Sequence, residues 1–370
     1  MDFTLTEEQQ HLQQVARAFF EKRSPEAEVR RLMATGQGFD RQLWADLADM
    51  GLLGLCIPSQ WGGSDAGPVE VGIVMEEAGR ALLVAPYFAT VALAIPALLY
   101  TQDHAACDEY LPRIASGQCV ATLAVTEQSG SWNADTTESL ARHDGAGWRL
   151  EGTKAYVPAG NIADLIIVTA QTPAGPSVFA VDAHSPGLIV TPLPTIDQTR
   201  KQATVELRDV PARLLGAQAA APQILDRVLD LAAVWLAAEQ SGGARRALEM
   251  AVAYAKIRHQ FNRPIGSFQA VKTICADMLI AVECSTSAAL YGLWAAAEAS
   301  PELPVAASLA KAFCSDAFKE VSAKNIQVHG GIGFTWEHPA HLYYKRARSS
   351  AVLLGDARQH RAALASRIGY

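Results

Sequence analysis

The chain of 370 residues is 50% hydrophobic and 19% charged, with a formal net charge of −7. That balance is too apolar for a disordered chain, and its mild acidity argues against a broad nucleic-acid surface, which needs clustered Lys and Arg. The length allows a large core and a globular protein of two or three domains.

Met1, Asp2, Phe3 and Thr4 open without a basic stretch followed by an apolar one, so no secretory signal is expected and the cytoplasm is the expected address. From Thr6 the pattern turns helical. Leu5, Leu12, Val15, Ala16, Phe19 and Phe20 recur at helical spacing, Thr6 is placed as an N-cap, and Glu7 and Glu8 suit the first turn. The rhythm returns at Trp44, Leu47, Leu52 and Leu53 and is broken by Pro58, Gly62 and Gly63. Val69 to Leu83 predicts another helix, and Tyr110 to Ile114 the end of the last one in this zone. The most apolar run, Tyr87 to Leu99, is too short to cross a bilayer and contains Pro96, so no membrane span is expected.

Short β-rich runs then take over: Cys119 to Val125, Trp148 to Glu151, Leu165 to Thr169, Val178 to Val181, Leu188 to Thr191 and Ala203 to Leu207. Gly, Pro, Asp and Ser separate them, the pattern of a small antiparallel sheet structure. From about Pro222, alanine-rich helices follow at Ile224 to Arg258, Phe268 to Ala297, Pro304 to Gly330 and His338 to Leu353. The expected class is α+β: an N-terminal helical domain at 1–118, a central antiparallel β-barrel at 119–221 and a C-terminal four-helix bundle at 222–370. Six scattered cysteines without a C-x-x-C pair predict reduced, buried thiols and no metal centre.

Two segments carry chemistry. The first runs from Arg258 through Phe261, Pro264 and Gly266 to Gln269, at the junction of two long helices. Asn262 to Pro264 is expected to stop the first helix and Gly266 to free the turn. Arg258 then suits bidentate contact with phosphate, Phe261 an apolar wall, and the Gln269 amide a heterocycle edge. The second segment runs from Gln327 through His329, Gly330, Gly331 and Gly333 to Trp336. Its glycines let backbone approach a ligand, and their N–H groups suit an anion-binding nest. His329 reads as a hydrogen-bonded structural histidine.

In a helical–β–helical order, these segments resemble the acyl-CoA dehydrogenase family of FAD flavoproteins over nearly the whole chain. Asp2 to Gln9 is similar to the family's first helix, Trp44 to Gly54 to its "L…GLLG" entry, and Trp61 to Gly63 to its "YGG" loop. Leu123 to Glu127 resembles its "VTEP" strand, Arg258 to Gln269 its "R-x-x-F-G-x-P-I…Q" and Gln327 to Gly331 its "Q-x-x-G-G". The resemblance implies bound FAD, an acyl-CoA substrate, α,β-dehydrogenation and electron-transfer flavoprotein as acceptor. It implies that Thr126 hydrogen-bonds the flavin ring and that Arg258, Phe261 and Gln269 hold pyrophosphate and adenine. Gln327, Gly330 and Gly331 would also face the cofactor, and Asp356 aligns with a Thr that borders it. In the family these contacts usually reach a neighbour's FAD, which implies a dimer or tetramer with a homologous subunit or a second copy.

The family's "W-I-T-N" run reads Tyr156, Val157, Pro158 and Ala159 here, and Pro158 offers no N–H where the family's Thr meets the flavin. The reaction also needs a carboxylate base for the α-proton. Leu354 and Ala232 stand at the family's two base positions, and Ala233 at the Arg beside the second. Asp356, Asp230, Glu239 and Glu249 are the carboxylates that could stand in. However, Asp356 suits an N-cap for a last helix at Ala357 to Arg367, and Glu239 suits packing in an apolar helix. The catalytic residue is therefore left unassigned. The pattern resembles the subunits of bacterial heteromeric acyl-CoA dehydrogenases that lend cofactor contacts while another chain carries the base. The alternative is a scaffold or CoA-ester-binding homologue that has lost the reaction.

Overall fold

The computed structural model describes residues 4–370; Met1, Asp2 and Phe3, with which the sequence reading begins, lie outside the described residues. The helices and strands in chain order are α1 (Glu7–Arg23), α2 (Glu26–Met33), α3 (Arg41–Asp49), α4 (Pro68–Arg80), α5 (Ile95–Tyr100) and α6 (His104–Ala115). Then come β1 (Ala121–Ala124), β2 (Leu140–His143), β3 (Trp148–Pro158), β4 (Leu165–Thr172), β5 (Gly175–Asp182), β6 (Leu188–Pro192) and β7 (Gln202–Leu215). The last part holds α7 (Ala221–Ile257), β8 (His259–Gln260), β9 (Arg263–Pro264), α8 (Gln269–Ala297), α9 (Leu303–His329), α10 (Ala340–Val352) and α11 (Ala357–Arg367). The described chain is α+β, with helical N- and C-terminal parts around a β-rich middle, as the composition zones imply.

These elements form two compact units. One combines residues up to Arg30 with Pro68–Leu83 and Ala233–Tyr370; the other combines Arg31–Gly67 with Val84–Ala232. In the first unit, α1 starts where its capping residues dictate. The Thr6 hydroxyl oxygen accepts from the Gln9 N–H (3.2 Å), and Gln9 Oε1 accepts from the Thr6 N–H (3.0 Å). α9 is the central helix, touching α8, α10 and α11, and α4 packs on α1 and α8. A polar layer crosses the long helices, with Gln240 donating to Ser315 (3.1 Å) and Ser241 bonded to Thr286 (3.0 Å).

In the second unit, β4, β2, β3, β7 and β5 pair in a ring that β5–β4 pairing closes into a barrel. β1 joins β4 in parallel from Ala121↔Leu165, and β6 adds to β7. The barrel is thus mostly antiparallel, with the parallel pairings β1–β4 and β2–β4 as additions to the expectation. Ile166, Val168, Phe179, Val181, Val205 and Leu207 fill its interior. The apolar run after Tyr87 is π-helical over Phe88–Ala94 and continues into α5, buried as far as Leu98, and Thr90 donates to the Ala121 carbonyl (2.8 Å). Burial in this unit accounts for its composition. Across the two units, Cys107, Cys119 and Cys314 are buried free thiols, but Cys56 and Cys275 are half-buried and Cys284 is exposed on α8, contrary to the expectation of burial.

Candidate cofactor site

The two segments singled out by sequence meet in the first unit. Tyr254, one turn before Arg258, stacks on His329, the last residue of α9, with ring centroids 4.4 Å apart. The stack ties the end of α7, which leads into Arg258, to the end of α9, which leads into Gly330 and Gly331.

α7 ends at Ile257 rather than at Asn262 to Pro264, because the chain turns into the hairpin formed by β8 and β9. Phe261 (φ 52°) and Asn262 (φ 61°) are its two turn residues, both left-handed as a type I′ turn requires. That conformation is costly for a Phe, and its ring is 87% exposed, edge-on to Phe268 at 6.0 Å. Gly266 has an ordinary backbone; its need is for space, since a Cβ would stand 2.9 Å from the Ala255 carbonyl. The Arg258 main chain is fixed, its N–H bonded to Tyr254 (2.9 Å) and its carbonyl to the Ile265 N–H (2.7 Å). The side chains of Arg258, Gln269 and Gln327 are exposed and make no hydrogen bond among the described residues.

Gly330 (φ 64°) caps α9, and its N–H bonds back to the Gln327 and Ile326 carbonyls. The expected anion nest therefore lacks this amide, which the helix end consumes. A side chain at Gly330 or Gly331 would meet nothing within 4 Å, so both leave an open surface. His329 is buried, its Nδ1 is 2.8 Å from the Asn325 carbonyl, and burial lowers its pKa, as fits a structural, neutral ring. Asp356 caps α11 in a reciprocal pair with Gln359, each contact 2.8 Å.

In the second unit, Thr126 follows β1, is buried, and donates its hydroxyl to the Ala155 carbonyl. Pro158 ends β3 beside a cavity of about 30 Å³, where the Arg200 guanidinium lies over the Phe88 ring at 5.1 Å. That is the space of about one water. An extended phosphate cofactor fits the first unit's exposed set of one guanidinium, two amides, an aromatic face and an open glycine turn. The barrel's larger cavity, about 490 Å³, lies not at Pro158 but beside Glu127, Ala155 and Tyr156.

The base positions are closed. Ala232 and Ala233 are buried in α7, and Leu354 is buried in a left-handed turn (φ 61°). Glu239 pairs with Arg346 at 3.0 Å, both about 5% exposed or less, and Arg346 also donates to the Leu83 carbonyl (3.1 Å). Glu249 accepts two bonds from Arg80 (2.8 and 3.0 Å); burial raises its pKa, but the Arg80 contacts outweigh this and hold it low. Asp230 is half-buried on α7. Sequence reading missed Lys311, fully buried under the Leu354 turn. Its ammonium reaches Ser315 Oγ and the Gly355 carbonyl at 3.0 Å and the Ala351 carbonyl at 3.3 Å. The only signal was a lysine inside an alanine-rich stretch, which reads equally well as solvent-facing.

Residues 6–118, 122–210 and 222–369 match, in turn, the acyl-CoA dehydrogenase N-terminal, middle and C-terminal domains. The chain is 32% identical to acyl-CoA dehydrogenase IpdE2 of Mycobacterium tuberculosis over 96% of both proteins. A chain in a structure of a Tcur3481-Tcur3483 steroid ACAD variant shares 33% identity at a TM-score of 0.90, covering 99% of this chain and 98% of that one. A chain of the ChsE4-ChsE5 complex from Mycobacterium tuberculosis shares 30% identity at a TM-score of 0.91, covering 100% and 99%. With three consecutive domains matched and relatives aligned from end to end, the chain belongs to the acyl-CoA dehydrogenase family, whose cofactor is FAD.

Proposed function

We propose that this chain is the cofactor-contact subunit of an FAD-dependent acyl-CoA dehydrogenase and works with a homologous subunit that carries the base. One contrast supports the reading: the side chains of Arg258, Gln269 and Gln327 are exposed and make no hydrogen bond among the described residues, while both base positions are apolar and buried. Arg258 would pair with the pyrophosphate through its fork of N–H donors. Phe261 would cover the adenine face, and Gln269 and Gln327 would meet its polar edge. Gly330 and Gly331 would let the cofactor lie against backbone. FAD, when bound, accepts the hydride leaving the β-carbon of the acyl-CoA thioester.

This chain offers no free carboxylate at Leu354 or Ala232, so the α-proton would go to the partner's base. The Thr126 hydroxyl is spent on Ala155 and Pro158 has no N–H, so the flavin ring would be seated by the partner's barrel. α8 supports an assembly. It is long and apolar enough to cross a membrane by length and composition, yet only 22% of its most apolar window is buried, leaving Leu279 and Ile280 exposed. An apolar face on a bundle helix fits packing against another subunit. Similarity to the ChsE4-ChsE5 complex and to the steroid ACAD variant makes a heteromer, and steroid-derived acyl-CoA thioesters, the first to test. Electron-transfer flavoprotein as acceptor and a cytoplasmic address belong to the same proposal.

The test is colour. Co-expressed with a base-carrying homologue, the chain should give a yellow complex that bleaches on addition of its acyl-CoA. A colourless, inert preparation both alone and in co-expression would overturn the proposal in favour of a scaffold or CoA-ester-binding chain.

A further inference from the structure

The loop between α9 and α10, residues 330–337, has its two ends held together by a pair of imidazoles. His329, the last residue of α9, and His338, two residues before α10, lie with ring centroids 4.2 Å apart. His329 also stacks on Tyr254 of α7 at 4.4 Å, and its Nδ1 donates to the Asn325 carbonyl. Gly333 folds the loop back onto this base, where a Cβ would stand 2.8 Å from the His329 Cβ. Further out, the Trp336 ring meets His341 edge-on at 4.9 Å and carries the Lys345 ammonium at 4.2 Å. His341 is buried, and its Nε2 has no hydrogen-bond partner among the described residues. Three imidazoles thus anchor one short loop.

His338 is the member placed to respond to protons. It is half-buried, and its Nδ1 accepts the Ala340 N–H at 3.2 Å. That amide is the first of α10, whose N-cap, Pro339, supplies no side-chain acceptor. Protonation would turn Nδ1 into a donor facing a donor. It would also set a cation at the positive end of the α10 dipole, in ring contact with His329. The surrounding groups do not offset this. Glu26 of α2 is held by Arg30 at 2.7 Å, and Glu337 is exposed to solvent. Arg30, Lys345 and a protonated His341 would add like charge. Burial first, then His329, hold the His338 pKa below 6.5, with Glu26 opposing.

We propose that His338 is a positioning residue: its neutral ring latches residues 330–337 closed against His329, and its protonation opens them. The consequence for the cofactor rests on the function proposed above, since Gly330 and Gly331 lie in this loop. Closed, the latch holds the glycine turn at the end of α9; open, it would loosen the flavin contact. The open loop takes up a proton at the ordinary histidine pKa of about 6.5, which the closed loop refuses. Opening is therefore favoured as pH falls below that value, by up to about tenfold per pH unit.

Hydrogen exchange of the purified full-length chain tests this, each amide being corrected for its intrinsic rate at each pH. Protection of residues 330–338 should fall about 3- to 10-fold between about pH 7.5 and about pH 5.5, while the middle of α9 keeps its own. His338→Asn keeps a short acceptor for the Ala340 N–H without a titrating ring. Its protection, whatever the level, should be independent of pH over that interval. His338→Gln takes its place if the Asn variant does not fold. An unchanged wild-type protection would overturn the latch, as would a step of equal size in the variant. In the assembled complex, flavin retention should fall over the same interval. Opening of the loop with flavin fully retained would leave the latch standing and count against Gly330 and Gly331 as cofactor contacts.

Discussion

Arg258 carries the cofactor assignment at the level of a single side chain. Its backbone is tied to Tyr254 and Ile265, so Arg258→Ala removes the guanidinium and little else. The loss should cost about 2–3 kcal/mol, or roughly 30- to 150-fold in flavin affinity, with helical content unchanged. A variant assembled with the partner and retaining full flavin would remove Arg258 from the site. Asp356 is the opposite case. As an N-cap it is replaceable by Asn at a cost of a few tenths of a kcal/mol or so. Turnover of the assembled enzyme should survive Asp356→Asn, whereas loss of a general base costs about 10²- to 10⁴-fold. A drop of that size with flavin still bound would make Asp356 the base. His360 supplies a pH dependence. Burial, then the nearby Lys311 charge, lowers its pKa from 6.5 to about 4, while its Nε2 sits 2.9 Å from the Leu354 carbonyl. Between those values the unfolded chain takes up a proton that the folded chain refuses, so stability falls as pH falls through that window. His360→Gln keeps an N–H donor without the titration, and its stability should depend less steeply on pH from 6.5 to about 4. An unchanged slope would discharge His360 from that role.

Between elements, the informative contact is the one tying α7 to α10. Glu239 and Arg346 are buried together, so Glu239→Gln leaves a buried cation without its carboxylate. The expected cost is about 3–5 kcal/mol of stability, read as a lower denaturant midpoint, while the rate per bound flavin stays at the wild-type level. A fall in rate with stability preserved would reverse that reading. The long helices and the N-cap at Thr6 were legible because 3.6-residue periodicity and capping are local signals. The element β2, four residues with an exposed Leu140 at its start, shows no alternation strong enough to find it. The β8–β9 hairpin hid behind a Phe in a turn position that usually takes Asn or Gly. Buried lysines were equally invisible: Lys154 lies inside the barrel paired with Glu127 at 2.6 Å, and burial lowers its pKa to about 8 despite that partner. Nothing in the residues beside it distinguishes such a lysine from a surface one.

At the scale of the whole molecule, the helical–β–helical order was readable from composition, but the grouping of segments was not. Arg31–Gly67 joins the barrel's unit while Pro68–Leu83 joins that of the long helices, a consequence of non-local packing that no window of sequence contains. The candidate site was legible in the residue types of Arg258, Phe261, Gln269 and Gln327. The structure adds that they are exposed and uncommitted, and that the Tyr254–His329 stack brings their two segments together. On the proposed function, a chain with exposed cofactor contacts, an apolar face on α8 and closed base positions would depend on a partner for both ring seat and proton acceptor. The flavin-to-chain ratio of the assembled complex tests this most directly, by absorbance of released FAD against total protein. The account predicts half as many flavins as chains, all of them lost when the partner is removed. As many flavins as chains in a preparation of this chain alone would contradict it.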